Sequence, residues 1–186
     1  MHLGRILDDF AVFLEMITED KEGTMAESRP RGHYFEEFSV GQEIDSPARR
    51  VTEADVVEFA GHSGDYNKLH TGAEFAKASP YGKRIAHGLL GLSMASGLAS
   101  RAGFIEGTAQ AFVGLSWKFK SPIFFGDSIH LRARVTRTRP MPSMGGGMVI
   151  FAVTLLNQHD KRVQQGEWNL LVRGRPGPKR ADTAHA

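Results

Sequence analysis

The sequence predicts an α+β domain in which one long helix lies against an antiparallel sheet. Three observations point there. Residues 84–103, RIAHGLLGLSMASGLASRAG, carry Leu89, Leu90, Leu92, Met94, Ala95, Leu98 and Ala99 spread around a helical wheel, a pattern that predicts a helix buried on most sides. After Gly107, four segments read as strands, the clearest of them alternating through Ile129, Leu131, Ala133 and Val135. Finally, 186 residues with 41% hydrophobic and 24% charged side chains are enough for one domain with a closed core.

The elements follow in chain order. Residues 1–24 place Leu3, Ile6, Leu7, Phe10, Phe13, Leu14 and Ile17 at helical spacing opposite Asp8, Asp9, Glu15 and Glu19, which predicts an amphipathic N-terminal extension. It lacks the basic start and unbroken apolar stretch of a signal peptide. It reads as an extension upstream of a start at Met25, or as an arm packed on a partner subunit. Residues 25–33 have linker composition around Arg29-Pro30-Arg31, and the domain is expected over 34–174, with a basic, disordered tail at 175–186. Val40-Gly41-Gln42 forms a turn before a strand over 43–51, and Thr52 with Asp55 forms a capping box that opens a helix through Ala60. Gly61 and Gly64 break that helix. Residues 61–72, GHSGDYNKLHTG, read as a functional loop, followed by a helical piece over 73–77 and a turn at 79–82. The long helix comes next, and its three glycines cost roughly 1 kcal/mol each relative to Ala, which burial must offset. Strands are expected over 109–120, 127–137, 148–157 and 163–173, forming an antiparallel meander, with Gly145-Gly146-Gly147 in a wide hairpin.

Charge and composition exclude several classes. The formal net charge is +2, and residues 173–186 contribute +3 of it, so the body is slightly acidic and offers no nucleic-acid face. The acidic side of the N-terminal helix argues against an anionic membrane surface, and no membrane partner is expected. The absence of cysteine removes thiol nucleophiles, disulfides and Cys-ligated zinc, and suits a reducing, cytoplasmic location.

The candidates for chemistry sit just before the long helix and at its start. Asp65 and His70 lie five residues apart in the polar loop, and His87-Gly88 stands at the first turn of the helix. A carboxylate and an imidazole can hold one water between them, one taking its proton while the other orients it or returns a proton. A helix N-terminus adds free backbone N–H groups and a positive dipole end suited to a developing oxyanion. Gly88 has no side chain to keep a carbonyl oxygen from its N–H. Together these outline addition or removal of water next to a carbonyl.

SGDYNKLH (63–70), RIAHGLL (84–90) and WKFKSPIFFGDSI (117–129) resemble the motifs of the MaoC-type dehydratases, the (R)-specific enoyl-CoA hydratases of the hotdog fold. The resemblance runs from about Tyr34 to Arg173. It implies an antiparallel sheet wrapped around a long central helix, and assembly as a homodimer or higher homo-oligomer with the site near the subunit interface. It implies an acyl-CoA thioester substrate, with trans-2-enoyl-CoA hydrated reversibly to (R)-3-hydroxyacyl-CoA in fatty acid metabolism and no cofactor. It makes Asp65 and His70 the pair that activates water, and the Gly88 N–H the donor to the enolate oxygen. Asn67 would order the loop, Ser63 and Tyr66 would be backbone or pocket elements, and His87, a structural contact at the helix start, would adjoin the substrate. The sequence departs from the family pattern at Lys68, where Pro is usual, and at Gly72, where Asp is frequent, which predicts a less rigid loop.

Other readings of the same residues are weaker. His62, His70, His87 and Asp65 lack the i, i+4 helical spacing of a zinc hydrolase, so no metal is expected. Ser63 has no Gly-x-Ser-x-Gly elbow to make it a nucleophile. The three glycines at 145–147 have no following Lys-Ser/Thr or helix to make a phosphate loop. Trp117, Phe119, Phe124 and Phe125 read as sheet core and interface, and the tail as a solvated end within reach of a CoA phosphate. Two functional rivals use the same cleft: a hotdog acyl-CoA thioesterase and a non-catalytic acyl-binding subunit.

Overall fold

The computed structural model of the protein describes residues 31–177. The expected N-terminal helix therefore lies outside the described residues, as do residues 178–186 of the tail. Six strands form one antiparallel sheet: β1 (Glu43–Asp45), β2 (Arg49–Arg50), β3 (Ala109–Phe119), β4 (Ser128–Met141), β5 (Gly146–Asn157) and β6 (Arg162–Arg173). The helices are α1 (Glu53–Ser63), α2 (Lys68–Thr71), α3 (Ala73–Lys77) and the long α4 (Gly88–Ala102).

Strand order is β1-β4-β5-β6-β3, with β2 also pairing β4. The expected four-strand meander holds only for β4, β5 and β6. β3 pairs β6 and not its sequence neighbour β4, because β1 and β2 occupy the outer edge of β4. The expected single strand over 43–51 is two short strands, interrupted around Pro47, which has no N–H to give a ladder. On β4, Ile129, Leu131, Ala133 and Val135 all face the core, as the alternation predicts.

Helix α1 begins as the sequence predicts. Thr52 Oγ1 accepts from Asp55 N–H at 3.2 Å, and Asp55 Oδ2 accepts from Thr52 N–H and Oγ1–H at 2.7 Å each. The helix continues past Gly61 to Ser63, and only Gly64, at φ 73°, ends it. Burial pushes the Asp55 carboxyl up, but the Thr52 bonds and the neighbouring Arg49 guanidinium outweigh it and hold the group below its ordinary value. Its contribution to stability is therefore full above the unfolded-state carboxyl pKa and is lost as pH falls through the lower folded value. We expect Thr52→Ala to cost about 1 kcal/mol in urea unfolding at neutral pH. The deficit should shrink on acidification through the carboxylate range; a deficit independent of pH would show that the cap and Asp55 are uncoupled.

The core lies between α4 and the sheet, where Leu90, Met94, Ala95, Leu98 and Ala99 meet Leu131, Val135, Phe151, Val153 and Trp168. The opposite side of α4 is not covered as expected: Leu89 is 59% exposed, and Ser93, Ser96, Gly97 and Ser100 are open as well. The apolar residues spread around the wheel, but the sheet reaches only one side of the helix. Both ends of the described chain are tied to the body. Gly32 and His33, within the expected linker, donate to Glu106 and Phe104 carbonyls, and Arg175 bonds Glu36 through its N–H and Glu37 through its guanidinium.

Candidate active site

The polar loop after α1 is ordered by its own side chains, each satisfying a nearby backbone group. Ser63 Oγ donates to Phe59 C=O at 2.7 Å and accepts from Asp65 N–H at 3.2 Å; Asp65 Oδ1 accepts from Asn67 N–H at 3.1 Å. Asn67 Oδ1 accepts from Leu69 N–H at 2.9 Å and so caps α2. The expected loop thus contains a helical turn that puts Asp65 ahead of it and His70 within it. Lys68 stands at the first helical position, where Pro is favoured elsewhere, and the Asn67 cap supplies the order a ring would have given.

The segment before α4 is held from two sides. Ile85 N–H donates to Leu69 C=O at 3.2 Å, and Ala86 N–H donates to Ile123 C=O at 2.8 Å. His70 Nδ1 lies 2.8 Å from Ile85 C=O, and His87 Nε2 lies 2.9 Å from Asp65 C=O. A carbonyl oxygen only accepts, so Nδ1 of His70 and Nε2 of His87 carry the protons. In the neutral ring of His70 this leaves Nε2 as the lone-pair nitrogen. The two imidazoles stack with centroids 3.8 Å apart and planes at 33°, and Phe59 packs against His87 from 5.0 Å.

Asp65, His70 and His87 each offer a donor atom, all within 4.8 Å of one another. One water, with hydrogen bonds of about 2.8 Å on each side, spans such a gap between a carboxylate and an imidazole. Asp65 Oδ2 has no partner among the described residues. Beside the pair, Gly88 opens α4, and its N–H has no intrahelical acceptor at that position. A methyl group on Gly88 would stand 2.9 Å from Cδ1 and Cε1 of Phe119, so only glycine leaves room under that ring.

These residues line one cavity of about 690 Å³. Ser63, Asp65, His70, His87 and Gly88 from the predicted set all contribute to its wall. Tyr66 and Asn67 do not: Tyr66 is 64% exposed, and Asn67 is spent on capping α2. The remaining wall is mostly apolar, chiefly Phe59, Ile85, Phe119 and Ile123, with Tyr81, Lys120, Ser121 and Gln164 as its polar members. Phe119, expected in the sheet core or interface, forms part of it and is 54% exposed.

Sequence reasoning missed Gln164. It is buried on β6, accepts from Trp117 Nε1–H at 2.9 Å and donates to Gly88 C=O at 3.0 Å, which ties the start of α4 to the sheet. Gly91 permits the approach, since a Cβ there would fall 2.3 Å from Gln164 Nε2. Its sequence context, Arg162-Val163-Gln164-Gln165-Gly166-Glu167, is mostly polar and carries no signal that this glutamine is buried.

Fold and site together define a class of protein: a helix backed by an antiparallel sheet, with a carboxylate and an imidazole at the helix N-terminus in an apolar cleft. The MaoC like domain family matches residues 36–149, and the chain belongs to that family. It is similar to a protein from Rhodospirillum rubrum named (R)-specific enoyl-CoA hydratase, 34% identical over 108 residues that cover 58% of this chain and 73% of the relative. Among solved structures it is similar to a MaoC-like dehydratase from Rhodospirillum rubrum, with a TM-score of 0.71 and 28% identity over 78% of this chain and 100% of that one. A Mycobacterium tuberculosis protein described as having a double hotdog fold aligns with a TM-score of 0.68 at 20% identity, over 81% of this chain and 47% of that one. The fold is the hotdog fold expected from the sequence.

Proposed function

We propose that the protein is a hydro-lyase that adds water to trans-2-enoyl-CoA, giving (R)-3-hydroxyacyl-CoA, and catalyses the reverse. The observation that carries this reading is the meeting of Asp65, His70 and Gly88 in one largely apolar cleft. Membership of the MaoC-like family and the name of the Rhodospirillum relative support it.

The geometry supports the following chemistry. Water held between the Asp65 carboxylate and His70 Nε2 gives up one proton to the pair as its oxygen bonds C3 of the enoyl thioester. The C2–C3 π electrons move toward the thioester carbonyl, and the enolate oxygen takes the Gly88 N–H bond at the positive end of α4. The pair then returns a proton to C2 from the same face, closing the balance with one water consumed. The apolar walls seat the acyl chain and keep bulk water from the enolate.

The acyl-CoA partner is met at a cleft that lies against an open sheet edge. Among the described residues β3 has a neighbour on one side only, and Phe112, Leu115 and Phe119 along it are exposed. Such an edge suits pairing with a second copy, which supports a homodimer or larger homo-oligomer. No helix among the described residues is long and apolar enough to cross a membrane.

The test is loss of enoyl-thioester absorbance on crotonyl-CoA and longer trans-2-enoyl-CoAs, with chiral analysis of the product. Formation of the (R)-3-hydroxyacyl-CoA is expected. Free CoA without hydration would replace this reading with thioester hydrolysis, and binding without turnover across the panel would replace it with a carrier role.

A further inference from the structure

The proposed mechanism leaves one buried titratable side chain in the cavity without a task. His87 is 2% exposed, and its Nδ1 is buried with no hydrogen-bond partner among the described residues. As the N-cap residue of α4 it makes no side-chain cap, so the helix gives no reason for an imidazole there. Its ring is nonetheless fully committed in space: Nε2–H to the Asp65 carbonyl, one face to His70, and Phe59 packed nearby.

We infer that His87 is the positioning residue of this site, holding Asp65 by its backbone and His70 by its ring so that the two remain one water apart. The inference rests on the Asp65–His70 reading above. Asp65 sits on an exposed loop, and its own other bonds are local, to Ser63 and Asn67 two residues away. The bond from His87 is the long-range hydrogen bond that fixes this residue relative to α4. His70 is held at one edge by Ile85 C=O, which restrains the Nδ1 side but leaves the ring free to rotate about that contact. A second ring stacked at 3.8 Å removes that freedom.

The tautomer makes the idea specific. In the neutral ring a carbonyl acceptor requires the Nε2–H tautomer of His87, which leaves Nδ1 as the lone-pair nitrogen, without a partner among the described residues. A residue kept only for packing would be better served by an apolar ring. A Gln side chain offers an N–H near the same place without the stack. Phe keeps the stack without the N–H. The two halves of the role can therefore be separated.

The experiment uses the full chain. Kinetics of crotonyl-CoA hydration are compared for wild type, His87→Gln and His87→Phe, together with thermal unfolding and ¹⁵N NMR of the histidine side chains in wild type. Misplacing a reacting group by about 1 Å costs on the order of 100-fold. His87→Phe is therefore expected to lower kcat about 10- to 100-fold with KM within about 2-fold, and His87→Gln to recover a substantial part of the loss. Amide exchange at Asn67, whose N–H is held by Asp65 Oδ1, should quicken in the Phe variant. Wild-type spectra should show Nε2-protonated His87. An Nδ1-protonated ring, a loss confined to KM, or a Phe variant that folds and turns over like wild type would each overturn the inference. If wild type hydrates no enoyl-CoA at all, the functional reading fails, while the tautomer and the Asn67 exchange rate still decide whether the clamp exists.

Discussion

Asp65→Asn and His70→Ala are each expected to lower the turnover of enoyl-CoA hydration by about 100-fold or more, the usual scale of a positioned acid or base. The asparagine variant is the cleaner of the two. Asn keeps an oxygen to accept from the Asn67 N–H, so the local turn survives, but it cannot take a proton from water. Substrate affinity should change little. His70→Ala removes more than a base, because the ring also donates to Ile85 C=O and stacks on His87. Its thermal unfolding must be read alongside, and His70→Gln, which keeps a donor, separates the lost bond from the lost base. If the two side chains act on one water as a unit, the double variant will be little slower than the worse single one. Stopped assays on crotonyl-CoA with product chirality measure all of this. Retained activity in both single variants would remove the pair from the mechanism.

Gly88→Ala is expected to cost about 100-fold in kcat/KM, comparable to losing one oxyanion donor elsewhere. The methyl group would meet the ring of Phe119 at 2.9 Å and, in the proposed mechanism, would crowd the N–H that the thioester oxygen takes. Phe119 lies on the edge strand β3 and is half-exposed, so it can swing aside and folding should survive. Two causes then compete for the lost activity, a blocked N–H and a displaced wall. The double variant Gly88→Ala with Phe119→Ala separates them. If it stays as slow as Gly88→Ala, the N–H is what matters; if it recovers, the wall is. A Gly88→Ala variant as active as wild type would show that no oxyanion reaches this N–H.

The elements of this fold were largely legible in residue pattern because each rests on short-range physics. The Thr52–Asp55 capping box forms as read, the alternation of β4 points Ile129, Leu131, Ala133 and Val135 inward, and Gly88 opens the long helix. Errors occurred where pattern is silent about partners. Gly61 inside α1 reads as a breaker, yet the helix absorbs it because a single glycine costs only about 1 kcal/mol and the real stop is the left-handed Gly64. The pairing of β3 with β6 could not be foreseen, since alternation gives a strand's face and not its neighbour.

The site divides in the same way. Asp65, His70 and Gly88 are legible as candidates because a carboxylate, an imidazole and a side-chain-free helix start are what hydration next to a carbonyl would need, and they lie in order along 65–88. The closeness of Asp65 and His70 to each other and to His87, with donor atoms within 4.8 Å, and their sharing of one cavity with Gly88 come only from the fold, which brings the turn at 68–71 against the strand-like segment at 85–86. Gln164 was invisible for a stronger reason. It lies 76 residues from the Gly88 carbonyl it holds, and no local rule marks a buried glutamine whose two partners belong to other elements. By itself the sequence determined which side chains could do chemistry and which local turns present them, because those depend on residue type and near neighbours. The tertiary structure alone decided which of them share a cavity, which nitrogen of His70 and of His87 faces a carbonyl, and which face of α4 the sheet leaves uncovered, because those depend on contacts between segments distant along the chain.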